Sequence, residues 1–248
     1  MKPLAHEAIY TTVTQVLSPL RRGTLLDVPA GEGVLASRLV DLGFIVKCCD
    51  LYPEMFRLAG VEIKRGDLSH SLPYPDSSFD YLVCVEGLEH LENAFQAFRE
   101  FRRVMRSHGH LIVSVPNTLN VEERLKSLLY GYTSHFKPLS RELLERLGGR
   151  FDGRAEVGQH INVIGYCELR YMLEKNGFKI VRLYRDKPKA NLWVYIPVAL
   201  LIRAVNFIQS ASRRRERWSA ELHSNEVLLG GNTLIIHATK CDLHENRD

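Results

Sequence analysis

The chain has no CxxC pair, no GxGxxG turn, no internal repeat, no low-complexity tract and no apolar run long enough to cross a bilayer. Each absence excludes something. Five cysteines, Cys48, Cys49, Cys84, Cys167 and Cys241, without framework spacing argue against a disulfide scaffold or a zinc cluster and read as reduced, buried small hydrophobes. The unbroken apolar run of 11 residues from Leu192 to Ile202 falls well short of the about 20 a membrane span requires. The first residues, Met1-Lys2-Pro3-Leu4-Ala5-His6-Glu7, lack the apolar core of a secretory signal, so a cytoplasmic protein is the expectation. A net charge of +4, much of it in Arg213-Arg214-Arg215-Glu216-Arg217, implies no general polyanion-binding surface. Without a basic, aromatic-laced face, a nucleic-acid partner is not expected.

What is present is ordinary globular composition, 45% hydrophobic and 25% charged over 248 residues, enough for one α/β domain with a sizeable core. Short apolar strands alternate with helical patterns. Residues from about 4 to 20 read as an amphipathic helix, then Thr24–Val28 as a strand, Val34–Leu42 as a helix and Phe44–Asp50 as a second strand. Strands follow at 61–67, 79–85 and 109–115, with a helix over 91–106 whose apolar residues recur near the 3.6 period. That alternation predicts a mostly parallel sheet. A single domain is expected throughout: a core over 22–118, a helical acceptor region over 118–165, a late helix and strand over 166–186, an apolar-basic insertion over 188–218 and a closing strand over 233–240.

The stretch Leu25-Leu26-Asp27-Val28-Pro29-Ala30-Gly31-Glu32-Gly33 ends a strand, turns without side-chain bulk and starts a helix. Its register gives Pro29-x-Gly31-x-x-Val34 and fails the dinucleotide fingerprint, which disfavours pyrophosphate and a NAD-dependent dehydrogenase. An acid entering the turn suits a cationic or amino-bearing ligand. Asp50 ends the second strand, where a carboxylate can accept both hydroxyl protons of a ribose. Asp67, after the third strand, is placed to accept from an adenine amino group. Each acid alone would be unremarkable as a cap or solvated turn; three at successive strand ends point to one binding edge.

With Phe79-Asp80, Glu89-His90, Gly109-His110-Leu111 and Pro116-Asn117 added, the order of these motifs resembles a class I S-adenosylmethionine (SAM)-dependent methyltransferase, of the group that includes the ubiquinone-pathway O-methyltransferases. The likeness covers 24–118 and extends more weakly over 158–178. It implies a Rossmann-like, seven-stranded, mostly parallel sheet with helices on both faces, an antiparallel last strand and helical insertions. It also implies SAM as cofactor, held by Asp27, Ala30, Gly31, Gly33, Asp50, Leu51, Asp67, Leu68, Val85 and Glu86. Pro29 replaces the first glycine of the usual turn and has no N–H to offer.

After the fourth strand, Glu86, Glu89 and His90 form an ExxEH pattern that a helical start would put on one face. It is similar to the Mg²⁺-associated motif of that group and to the metal site of small-RNA 2′-O-methyltransferases, with His135 or His160 as a further ligand. The metal set is then Glu86, Glu89, His90 and His160; a pocket-lining role for the histidine is the favoured alternative. His90 and His160 are the candidate general bases for a hydroxyl acceptor, since imidazole titrates near neutrality. The expected reaction is O-methylation of a small-molecule, glycan or lipid-linked acceptor. Metal-assisted RNA 2′-O-methylation and a non-catalytic SAM-binding protein are the competing readings. Residues 192–217 are expected to pack on the protein or make a homodimer contact, with a peripheral membrane contact as the alternative.

Overall fold

In the computed structural model of the protein, residues 1, 3–135 and 160–242 are described. Seven strands form one sheet in the order β3-β2-β1-β4-β5-β7-β6. They are β1 (Thr24–Asp27), β2 (Ile45–Asp50), β3 (Ile63–Arg65), β4 (Phe79–Cys84), β5 (Met105–Pro116), β6 (Phe178–Arg185) and β7 (Thr233–Lys240). The first five pair in parallel, and β7 runs antiparallel between β5 and β6. This is the sheet the resemblance implied.

Strand periodicity divides the core in two. Leu26, Cys49, Leu82, Cys84 and Val113 point to one face, whereas Leu25, Cys48, Val83 and Ile112 point to the other. The first face is covered by α3 (Ala94–Val104), through Phe98 and Phe101, and by α5 (Tyr166–Lys175), through Leu169 and Leu173. The second is covered by α1 (Glu7–Leu17), through Ile9 and Val13, and by α2 (Val34–Asp41), through Leu35 and Leu39. The adjacent Cys48 and Cys49 therefore do lie on opposite faces. Both are buried, and burial pushes the Cys49 thiol up to about 12.

The helix expected over 91–106 begins later and ends sooner. His90 and Leu91 belong to a 3-10 turn and its cap, and the chain swings into β5 at Met105, which pairs with Phe79. Ladder pairing with an interior strand prevails there over helical periodicity. β3 is only three residues long because it is the sheet edge and pairs with β2 alone. After β5 come α4 (Val121–Tyr130) and, between β6 and β7, α6 (Leu192–Ile208), α7 (Ala211–Glu216), α8 (Ser219–Leu222) and α9 (Asn225–Leu228). Of the acceptor region expected over 118–165, residues 136–159 lie outside the described residues.

The loop carrying Asp67 is fastened from beneath by Glu100 of α3. Its Oε2 accepts from the Leu72 N–H at 2.7 Å and the Ser71 hydroxyl at 3.2 Å, and pairs with Arg103 at 2.6 Å. Arg103 in turn donates to the Leu72 and Tyr74 carbonyls. Glu100→Ala orphans the buried Leu72 donor and releases Arg103, and should cost about 2 kcal/mol of stability. Urea denaturation should show a lower midpoint with an unchanged slope.

Candidate functional site

Parallel strands deliver their carboxyl ends to one edge, and there the three predicted acids converge. Asp27 ends β1, Asp50 ends β2, and Asp67 follows β3 after Gly66. Val28 continues the ladder by donating to the Val83 carbonyl at 3.0 Å. The peptide between Val28 and Pro29 is cis. The next residues turn sharply: Ala30 N–H donates to the Cys49 carbonyl and Gly33 N–H to the Ala30 carbonyl. Gly31 (φ +52°) and Gly33 (φ +92°) take left-handed backbone that disfavours any side chain, and a Cβ at Gly33 would strike Phe56. Gly33 then caps α2.

Asp50 anchors this turn. Its Oδ2 accepts from the Gly31 N–H and its Oδ1 from the Tyr52 N–H, both at 2.8 Å. Each oxygen keeps a second lone pair open to a further donor. Asp67 accepts from the Ser69 N–H at 2.8 Å and faces His70 at 3.0 Å. Partial burial alone would raise its pKa, but these hydrogen bonds outweigh it and hold the carboxyl below the usual range. Ala30, Leu68 and Val85 are buried along the same edge, while Leu51 is exposed.

Asp27 differs from both. It is 1% exposed and its Oδ2 has no hydrogen-bond partner. Burial, reinforced by the nearby Asp50 charge, pushes its pKa up to about 8. A buried carboxylate oxygen with no donor is a strong demand for a cation or a donor from outside the chain.

A second acidic group follows β4. Glu86 has left-handed backbone (φ +51°), so it does not begin a helix as the ExxEH spacing suggested. The 3-10 turn starts after it, at Leu88–His90. Ser114 of β5 holds Glu86 in place: its hydroxyl accepts the Glu86 N–H at 2.9 Å and donates to Oε1 at 3.2 Å. Burial raises the Glu86 pKa against the Ser114 hydrogen bond, and the Asp186 charge adds to the rise. Glu89 is fully buried, neither of its oxygens has a partner, and burial with the Glu86 charge pushes it up to about 8.

The Glu89 carbonyl accepts the N–H groups of Ile161 and Asn162, both at 3.0 Å, and Asn162 Nδ2 donates to the Leu91 carbonyl. These bonds seat His160 against the turn, where its ring meets His90 edge to face at a centroid distance of 5.1 Å. Ligand atoms of Glu89, His90 and His160 all lie within 4.8 Å of one another. The structure thus brings together three of the four predicted metal ligands, with Glu86 coupled by charge and held by Ser114. His135 lies within electrostatic reach of His160, and its buried Nε2 has no hydrogen-bond partner; burial lowers its pKa despite the opposing Glu123 charge.

Ser114 and Asp186 were not legible as site residues. Ser114 is one hydroxyl in an apolar strand, and Asp186 reaches the rim only because β6 ends there. Asp186 is 9% exposed with an unpartnered Oδ1. Beyond the rim, a cleft of about 640 Å³ is lined by Thr118, Arg124, Leu128, Val163 and Glu168, among others. It opens beside the segment that carries His160.

A family profile described as "Methyltransferase domain" matches residues 26–113. The chain is 30% identical over 151 residues to a demethylmenaquinone methyltransferase of Lactobacillus johnsonii, covering 59% of this chain and 59% of that protein. It is 28% identical over 182 residues to a ubiquinone/menaquinone biosynthesis C-methyltransferase of Cronobacter sakazakii, covering 67% of this chain and 71% of that one. A SAM-dependent methyltransferase from Archaeoglobus fulgidus shares the fold at a TM-score of 0.59 and 15% identity, with 95% of each chain covered.

The raised carboxyls set a pH dependence. Asp27 and Glu89 hold their protons to about pH 8 in the folded chain and release them near pH 4 when unfolded. Their contribution to stability is therefore complete below the unfolded value and is lost as pH rises through about 8. Ligand-free protein should melt at a lower temperature near about pH 9 than near about pH 6, and Asp27→Asn with Glu89→Gln should flatten that slope. Calorimetric melting of both proteins across this range is the measurement.

Proposed function

We propose that this chain is a class I SAM-dependent methyltransferase that methylates a hydroxyl group on a small-molecule, glycan or lipid-linked acceptor. The observation that carries the hydroxyl reading is the cluster of Glu89, His90 and His160 beside the cofactor edge. When bound, SAM supplies an already activated sulfonium methyl group. The chain's part is to hold the partners in line and manage one proton.

The residues present fit that cofactor. Asp50, fixed by Gly31 and Tyr52, would accept from the ribose hydroxyls. Asp67 would accept from the adenine amino group. Asp27, buried with an unpartnered oxygen, would face the amino-bearing methionyl end, and a cation there would draw its pKa back down. Gly31 and Gly33 let the backbone approach, while Ala30, Leu68 and Val85 supply apolar walls and Leu51 and Glu86 the flanks.

His160 or His90 would take the proton from the acceptor oxygen. Glu89, which burial keeps protonated to about pH 8, would balance that charge by releasing its own proton. A divalent ion also fits this donor set: Glu89, His90 and His160 would hold it, with the Glu86 charge close by, and it would polarise the acceptor oxygen. The two unpartnered oxygens of Glu89 favour that reading.

The relative named as a ubiquinone/menaquinone biosynthesis C-methyltransferase supplies a second reading, transfer to carbon. Incubation with methyl-labelled SAM and panels of hydroxylated small molecules, glycans, lipid-linked glycans and quinone precursors separates the two. NMR of the product distinguishes a methoxy group from a methyl on carbon, and a carbon-bound methyl would overturn the hydroxyl reading. With the accepted substrate, His160→Ala should lower turnover by roughly a hundredfold or more. SAM affinity by calorimetry should stay within about twofold, whereas Asp50→Ala should weaken it by about tenfold or more. Unchanged turnover in His160→Ala would remove that residue from the mechanism.

A further inference from the structure

Helix α6 turns the usual amphipathic arrangement inside out. One stripe, Leu192, Tyr195, Ala199 and Ile202, packs on Val121 and Leu125 of α4 and on Leu228 and Leu229. Its two interior polar residues lie on or beside that packed stripe: Arg203 donates to the His223 carbonyl and Asn225, and the Asn206 Oδ1 is buried without a partner. The opposite face is apolar and exposed. Trp193 is 75% exposed, Phe207 76% and Ile208 84%, with Leu200 and Leu201 between them. A helix apolar all round belongs in a core or in lipid, and this one has protein on one side only. With 17 residues it is about 25 Å long, too short to span, and among the described residues no helix is long and apolar enough to cross a membrane.

We propose that this face of α6 lies on an anionic lipid bilayer surface, with the arginines of 213–217 seated among its headgroups. Charge decides the occupant. From Lys187 through Arg217 the chain has one acidic residue, Glu216, against the basic Lys187, Lys189, Arg203, Arg213, Arg214, Arg215 and Arg217. Arg213, Arg215 and Arg217 are exposed, and Arg214 lies over the Phe207 ring at 5.2 Å, so positive charge adjoins the apolar face directly. A second copy of this face would offer those four arginines only the Glu216 carboxylate, which already accepts from Ser212; an anionic leaflet offers phosphates throughout. Trp193 at one end of the helix suits the headgroup boundary.

The placement also bears on the acceptor, resting there on the methyl-transfer reading. α6 follows the end of β6 at the same sheet edge as Asp186, and α4, against which it packs, carries Leu128 at the cleft and the exposed Leu129 and Tyr130. A chain lying on this face would meet lipid-linked hydroxyl acceptors at the mouth of its site.

The test is co-sedimentation of the full chain with extruded vesicles of phosphatidylcholine alone and with added phosphatidylglycerol. Partitioning should be at least about tenfold stronger with the anionic lipid and should weaken with salt. Arg213→Gln, Arg214→Gln and Arg215→Gln together should lose roughly fivefold per arginine. Phe207→Ser with Ile208→Ser, both at exposed positions, should abolish binding while circular dichroism and SAM calorimetry stay unchanged. No pelleting with anionic vesicles, or pelleting indifferent to both sets of substitutions, would overturn the proposal. So would a dimer, seen by sedimentation velocity, that the Phe207 and Ile208 substitutions convert to monomer. SAM binding on the same preparations reads the cofactor assignment independently, so either idea can fail alone.

Discussion

Carboxyls gathered at one rim, Asp27, Glu86 and Glu89, which among the described residues have no paired lysine or arginine, are the constraint on which the site depends. The protein treats its acids in two ways. Away from the rim they are paired: Asp80 is held by Arg106 and Thr24, and Glu100 by Arg103 and the Leu72 amide, and in both the hydrogen bonds outweigh burial and lower the pKa. At the rim, Asp27 and Glu89 are fully buried and Glu86 half-buried, yet the charges that perturb them are other carboxylates. Burying charge without a partner is costly, and the chain answers by holding protons there. A cation entering the rim would replace those protons. Raised carboxyl pKa values and the affinity proposed for a positive ligand would thus have one cause.

That cause is topological. Parallel pairing sets Asp27 opposite Cys48 and Asp50 opposite Arg65, so strand ends fall in step and their acids share an edge. The antiparallel β7 then extends the edge by presenting Thr233 next to Pro116, and β6 returns Asp186 to it. A helix-strand alternation in sequence therefore implies more than a fold class. It implies which residues meet.

This explains what could be read from the chain alone. The glycine turn, Asp50 and Asp67 were legible because each ends a strand whose apolar pattern is visible locally. Glu89, His90 and His160 were legible as residue types, but their meeting depends on the Glu89 carbonyl capturing the amides of Ile161 and Asn162 some seventy residues away, which no spacing predicts. The backbone at Glu86 was misread for a physical reason: a left-handed glutamate is an unfavourable conformation that local propensity never proposes, and Ser114 supports it from another strand. The run from Leu192 was legible as apolar, but a run does not say which of its faces finds protein.

The two halves of the molecule solve opposite solvation problems at one sheet edge. The rim buries charge and leaves oxygens unpartnered; α6 exposes hydrocarbon and tucks its polar side chains against protein. Each is unfavourable in water taken alone, and each becomes favourable with a particular neighbour, a cation for the first and an apolar surface fringed by phosphate for the second. Lys189 links them, pairing with Glu122 of α4 at 2.7 Å and donating to Asn232 just before β7, so the start of α6 is fixed to the rim rather than hung from it. A rigid joint at that point makes the orientation of the site relative to the α6 face a property of the fold. Whatever covers the apolar face therefore lies at an orientation to the rim that the fold sets.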